Sequence, residues 1–190
     1  MAFDSSVDSG HFHAVRFYQD RDSLARLVTE FIGEGFVATL PAIVIATPEH
    51  RDAILTQLEA RSFDVHRLQA TDDLILLDAD TILSQVMLNG IPNAKLFQQT
   101  MIPVLERACK GRHDCVVRAY GEMVDVLWKR GHTVAATRLE TLWNQLAQTH
   151  SFSLLCGYSM GNFYKDAAQE EICSHHSHVL SESGEAASIN

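Results

Sequence analysis

At 190 residues, 46% hydrophobic and 21% charged, the chain has the composition of one globular domain large enough to bury its own core. A formal net charge of −9 excludes direct binding to a nucleic-acid backbone, which needs a basic stripe to displace counterions. Part of that acidity is terminal: Asp166, Glu170, Glu171, Glu182 and Glu185 follow Lys165, and no Lys or Arg comes after it.

No apolar run approaches the ~20 residues of a membrane span. The opening MAFDSSVDSGHFH lacks the basic and apolar regions of a signal peptide. Cys109, Cys115, Cys156 and Cys173 show neither CxxC spacing nor a secreted-domain framework, which suits reduced thiols. The expectation is a soluble cytoplasmic protein with no membrane contact.

In chain order, residues 1–10 are polar and predict a flexible N-terminal arm. HAVRFY at 13–18 is rich in strand formers. Asp20 is a cap for a helix carrying Leu24, Leu27, Val28, Phe31 and Ile32 at helical spacing, with Gly33 and Gly35 marking its end. PAIVIAT at 41–47 is nearly all apolar, the pattern of a strand covered on both faces. Thr47 is then a cap and Pro48 the first residue of a helix with Ala53, Ile54, Leu55 and Leu58 as its apolar stripe. LILLDA at 74–79 repeats the buried-strand pattern. A helix over 81–88 follows, then a turn at Asn89-Gly90. After Pro92 comes a longer helix with Leu96, Phe97, Met101, Val104, Leu105 and Ala108 inward and Pro103 as a kink.

Residues 115–120 predict another strand. A short helix with Met123, Val126 and Leu127 closes at Gly131. Thr133 caps the next, which buries Val134, Leu139, Leu142, Trp143 and Leu146. FSLLCGY at 152–158 is the last strong strand. A turn at Gly161–Phe163 and a short helix over 166–179 complete the domain, residues 11–180, before a disordered tail over 181–190. Five buried strands alternating with helices give an α/β fold: three-layer α/β/α with a mainly parallel central sheet.

Ligands in such folds sit beyond the carboxyl ends of the strands. No GxxxxGK[ST] or GxGxxG occurs, and the turn Thr47-Pro48-Glu49-His50 has no glycine or lysine to cradle phosphate. Proline lacks one of the needed amides, and Glu49 repels an anion. Ser159 lies in GYSMG, a match to the G-x-S-x-G nucleophile pattern. Its partners, Asp166 and His175, His176 or His178, are crowded together rather than spread over later strands, and a five-residue pattern with two free positions arises readily by chance. No catalytic residue is assigned.

Arg118, Tyr120 and Glu122 emerge from an apolar run where a parallel strand ends. Two readings stand. In one they form a polar cluster facing a pocket; in the other Arg118 makes a structural ion pair with Glu122 or Glu140. Arg16 shares the ambiguity and lies beside Arg118 if their strands are neighbours. Cys156 is a small core residue or a ligand-facing or redox thiol. Cys173-x-His175-His176-x-His178 contains metal-ligand types at a spacing that fits no common zinc framework; surface histidines on a solvated helix are the plainer reading. Trp128 and Trp143 are core-compatible, and His13 is a ligand contact or a hydrogen-bonded structural histidine.

HAVRFY, FIGEGF, AIVIATPEHRDAI, RAYGEMVDVLW, ATRLETLWNQLA, FSLLCGY and ICSHHSHVL occur in this order. Together they resemble the MEDS domain, the DcmR-like sensory domain named for methanogens and methylotrophs. The resemblance implies a RecA/KaiC-like core without its phosphate loop, and a non-enzymatic sensor of small organic molecules such as hydrocarbon derivatives. It implies a signalling partner, such as a histidine kinase or a transcription regulator; no output domain is seen in this chain. The matching positions to watch for ligand binding are His13, Arg16, Tyr18, Arg118, Tyr120, Glu122, Glu140, Cys156, Tyr158 and His178. No cofactor is expected, and a homodimer is the commonest assembly for such a domain. The alternatives are a KaiC-like nucleotide-binding protein with a non-standard loop, and a metal- or haem-binding sensor using Cys156, Cys173 and the late histidines.

Overall fold

The computed structural model describes residues 12–160, 170, 172–180 and 186–188. Among them, seven strands form one sheet in the order β3-β2-β6-β7-β1-β8-β9. Its centre is the five apolar runs: β1 (His13–Tyr18), β2 (Ala42–Ala46), β3 (Leu74–Asp78), β6 (Val117–Gly121) and β7 (Phe152–Ser159), all parallel. The sheet is edged by β8 (His178–Leu180), parallel to β1, and β9 (Ala186–Ser188), antiparallel to β8. The remaining strands, β4 (Met87–Leu88) and β5 (Ile91–Pro92), form a separate hairpin.

Among the described residues, seven helices cover the sheet: α1 (Arg21–Val37), α2 (Pro48–Ala60), α3 (Val65–Ala70), α4 (Ala79–Val86), α5 (Ala94–Cys109), α6 (Met123–Lys129) and α7 (Thr133–Ala147). Side chains alternate across a strand with period two, so the core divides in two. One half packs Ala14, Val44, Tyr120 and Leu155 against α1, α2 and α3. The other packs Val15, Ile45, Ala119, Leu154 and Cys156 against α4, α5, α6 and α7. This is the expected three-layer α/β/α arrangement.

Strand order places the site. The chain leaves β2 into α2 on one face and leaves the adjacent β6 into α6 on the other. Neighbouring strands whose helices depart to opposite sides open a crevice at their carboxyl ends.

Several local expectations are corrected. Gly33 and Gly35 do not end α1, which runs to Val37; they are places of close approach. A Cβ on Gly35 would lie 2.7 Å from Arg118 Cγ. Thr47 precedes α2, but its side chain makes no cap bond; its own main-chain N–H donates to Glu122. The helix predicted over 81–88 is α4, begun by Asp78 accepting from the Thr81 N–H. Its last two predicted residues pair as β4 about the Asn89-Gly90 turn, where both residues have positive φ, a geometry that favours the hairpin's twist. The strand predicted over 115–120 is displaced to Val117–Gly121. Cys115 is instead joined to Cys109 in a disulfide, so the four thiols are not all free. Thr133 is the first residue of α7 and His132 its cap; Val134 is 72% exposed.

At the far end, the helix predicted over 166–179 gives way to a strand at His178, where β8 supplies hydrogen bonds to the open edge of β1. Within the predicted tail, Ala186–Ser188 pair with β8 in turn. An unpaired strand edge is a template for such additions. The arm at 1–10, the turn at Gly161–Phe163 and Asp166 lie outside the described residues.

Candidate functional site

Period-two alternation also sorts the candidate residues. Arg16, Tyr18, Arg118 and Tyr120 fall on the α1/α2 face, while His13, Cys156 and Tyr158 fall on the α7 face. Glu122 lies just past the end of β6, and two polar clusters result.

The first cluster fills the crevice between β2 and β6. Glu122 is 1% exposed, and its main-chain N–H donates to Ile45 O at 3.0 Å, which holds it beside the end of β2. Its Oε1 accepts the main-chain N–H of Thr47. Its Oε2 accepts from His50 Nδ1 at 2.5 Å and from the Tyr120 hydroxyl at 3.1 Å. Burial pushes the Glu122 carboxyl up, but His50 and the Thr47 amide outweigh it, leaving it below its ordinary value. Tyr120 is fully buried, and burial together with Glu122 keeps its hydroxyl protonated as a donor. Gly157 on the neighbouring strand makes the room: a Cβ there would lie 2.7 Å from the Tyr120 hydroxyl oxygen.

Beside it, buried Asp125 on α6 joins the ends of β1 and β7. Its Oδ2 accepts from the Tyr18 hydroxyl at 3.0 Å and lies 2.6 Å from Lys129 Nζ; its Oδ1 accepts the Ser159 N–H at 3.0 Å. The Tyr18 and His50 rings meet edge-on at 5.6 Å, linking the two carboxylates. A cavity of about 480 Å³ opens over them, lined by Thr47, Pro48, Glu49, His50, Asp80, Glu122, Asp125, Val126, Lys129 and Arg130. That volume is in the range of small-molecule sites. Its lining holds four carboxylates against two cations, each cation paired: Lys129 with Asp125, and Arg130 with Asp80 at 2.6 Å.

The second cluster is buried beneath α7 around Glu140. Its Oε1 accepts from the Tyr158 hydroxyl at 2.7 Å and lies 3.4 Å from His176 Nε2; its Oε2 lies 3.3 Å from His13 Nε2. Cys156 Sγ is 3.3 Å from His13 Nε2 and 3.9 Å from Glu140 Oε2. Burial pushes the Glu140 carboxyl up, but the His176 and His13 rings and the Tyr158 hydroxyl bring it down to about 2. Burial pushes His176 down to about 4 in spite of the facing carboxylate. Burial and Glu140 push the Cys156 thiol well up, so it is not a free thiolate.

The other candidates go elsewhere. Arg118 pairs with neither Glu122 nor Glu140. It lies on the α1 side, 4.9 Å above the Phe31 ring, where burial lowers its affinity for the proton while Glu34 partly offsets that. Arg16 donates to Leu180 O at 3.0 Å; β7 separates its strand from that of Arg118, so the two arginines are not strand neighbours. His178 stacks on Phe12 at 5.1 Å and is outside both clusters. The late histidines are not a solvated surface set, because His176 is buried against Glu140 while Cys173 is not part of its group.

Sequence reasoning missed His50, Asp125 and Lys129, as well as Asn144, whose Oδ1 lies 2.8 Å from His13 Nδ1; His176 was weighed as a metal-ligand type and set aside as a surface histidine. His50 stands in the very turn inspected for a phosphate loop. Asp125 had a signal too, as an acid on a short helix whose other buried residues are all apolar.

Comparison with known proteins gives a match to the family model described as the methanogen/methylotroph, DcmR sensory domain (MEDS), over residues 12–176. No curated protein matches the chain.

Proposed function

Because the chain belongs to the MEDS family of sensory domains, we propose that it is a non-enzymatic input domain that binds a small organic ligand in the crevice over Glu122 and Asp125. The observation that carries this reading is the carboxylate of Glu122 on the Thr47 amide. A helix start at a strand's carboxyl end attracts anions, and in this chain a side chain of its own takes that place. The crevice is thereby read as a RecA/KaiC-like core remade to recognise rather than to hold a triphosphate. An acidic lining with His50 at its wall suits a small neutral or cationic molecule with hydroxyl or amino donors.

Binding signals only through different affinity for two conformations. Asp125 ties α6 to the ends of β1 and β7, so a ligand that draws on Asp125 or Lys129 shifts these elements together. A histidine kinase or transcription regulator that contacts them is the proposed reader.

The test is thermal stability with a panel of short-chain alcohols, diols and amines. At least one should stabilise the wild type in a saturable way and stabilise Glu122→Ala much less. Equal shifts in both proteins, or none in either, would remove the site. Two other readings have their own outcomes: saturable calorimetric binding of ATP with Mg²⁺ would favour the KaiC-like alternative, and ester turnover abolished by Ser159→Ala would favour a hydrolase.

A further inference from the structure

We propose that His13, Glu140, Cys156 and His176 form a binding site for one divalent transition-metal ion of the zinc class. The site lies on the α7 face and is independent of the crevice over Glu122. Its four ligand atoms come from β1, α7, β7 and the segment before β8, and all lie within 4.8 Å of one another. Every one of the four residues is buried.

The hydrogen bonds behind the two imidazoles set the tautomers. Asn144 Nδ2 donates to His175 O at 2.9 Å, which turns Asn144 Oδ1 toward His13 Nδ1 at 2.8 Å. An amide oxygen only accepts, so His13 Nδ1 carries the proton. His176 Nδ1 likewise faces Ile172 O at 2.8 Å and donates to it. Both rings therefore turn Nε2 toward Glu140, the arrangement seen when a carbonyl or amide orients a metal-ligating histidine.

That arrangement is unfavourable without a positive charge at its centre. His176 Nε2 has no hydrogen-bond partner and confronts Glu140 Oε1 at 3.4 Å, lone pair to carboxylate. A proton on either Nε2 would answer one oxygen of Glu140 only, and protons on both would bury two imidazolium charges against one carboxylate. A single divalent cation answers both. Tyr158 occupies Glu140 Oε1, leaving Oε2 for the ion.

Size and charge agree. Zinc bonds of about 2.0–2.3 Å in a tetrahedron place neighbouring ligand atoms about 3.3–3.6 Å apart. The separations around Glu140 Oε2 and His13 Nε2 are 3.3, 3.3 and 3.9 Å. On binding, the Cys156 S–H bond breaks, its proton leaves to solvent and an S–metal bond forms. The ion's two positive charges are then balanced by Glu140 and the Cys156 thiolate. Two imidazoles, one thiolate and one carboxylate suit a borderline ion rather than Ca²⁺ or Mg²⁺.

The test is metal analysis of the full chain purified without chelator, with anaerobic Co²⁺ titration of the stripped protein. Close to one zinc per chain is expected, together with the thiolate-to-cobalt absorption and the intense visible bands of four-coordinate Co²⁺. Cys156→Ser should lose the thiolate band and His176→Asn should lose tight binding, while Cys173→Ser, the other free thiol, keeps both. Asn144→Leu, which touches no metal, should weaken affinity about 10–100-fold. Circular dichroism of each variant separates loss of the ion from loss of the fold. Metal-free wild type that gives no Co²⁺ spectrum on titration would overturn the site. So would a folded Cys156→Ser, His176→Asn double variant that binds as the wild type does.

Discussion

Glu122 reaches from the end of β6 to accept the main-chain N–H of Thr47 at the end of β2, bridging adjacent strands whose helices depart to opposite faces. The same carboxylate receives His50 and Tyr120, so three donors of different kinds depend on one buried charge. Glu122→Gln keeps the shape and removes that charge. It should lower stability by about 1–3 kcal/mol, read by urea denaturation. A midpoint equal to that of the wild type would mean that the charge contributes nothing.

The pH response follows from the same residue. Its folded-state carboxyl lies below its ordinary value of about 4.5. The stability this provides is complete above the unfolded value and is lost as pH falls through the folded one. Wild type should therefore lose stability more steeply than Glu122→Gln as the pH is lowered from about 4.5. Parallel curves would rule out an ionised Glu122 as a source of stability.

Gly35 gives a packing test. Alanine is better than glycine in a helix by about 1 kcal/mol, yet a Cβ at Gly35 would meet Arg118 Cγ at 2.7 Å. Overpacking of this kind costs about 1–3 kcal/mol, so Gly35→Ala should be neutral to destabilising. In an Arg118→Ala background the same change should stabilise. A double-mutant cycle measures the difference, and a coupling of zero would mean that the two positions do not touch.

Gly157 tests the support behind Glu122. A Cβ there would displace the Tyr120 hydroxyl, which donates to Glu122 at 3.1 Å. Gly157→Ala should be clearly destabilising in the wild type and much less so in Tyr120→Phe, where no hydroxyl remains to be displaced. Equal losses in both backgrounds, by thermal melting, would assign the effect to the strand backbone instead.

Five parallel strands and most of their helices were legible because their signals are local. PAIVIAT and FSLLCGY are apolar runs bounded by turn residues, and Pro48 announces α2. Two short elements were not: α3 carries too few residues for a period to show, and β8 forms only because the open edge of β1 is there to receive it. At the candidate site, Tyr120 and Glu122 were recognisable as polar groups at a strand end. Their partner His50 was not, since it lies 72 residues away in sequence. Arg118 misled, because an arginine stem packed over an aromatic ring leaves the same trace in a sequence as one awaiting a carboxylate.

The amino-acid sequence alone determined the layered α/β class, the absence of a standard phosphate loop and the family to which the chain belongs, because apolar periodicity and motif spacing act over a few residues. Only the tertiary structure decided which charges meet. Strand order set β6 beside β2 and brought Glu122 to Thr47, and alternation across the sheet put His13 and Cys156 on the opposite face from Tyr18 and Tyr120. The docking of β8 along β1 carried His176 in to face Glu140. Such meetings depend on the packing of elements far apart in the chain, and no short-range pattern encodes them.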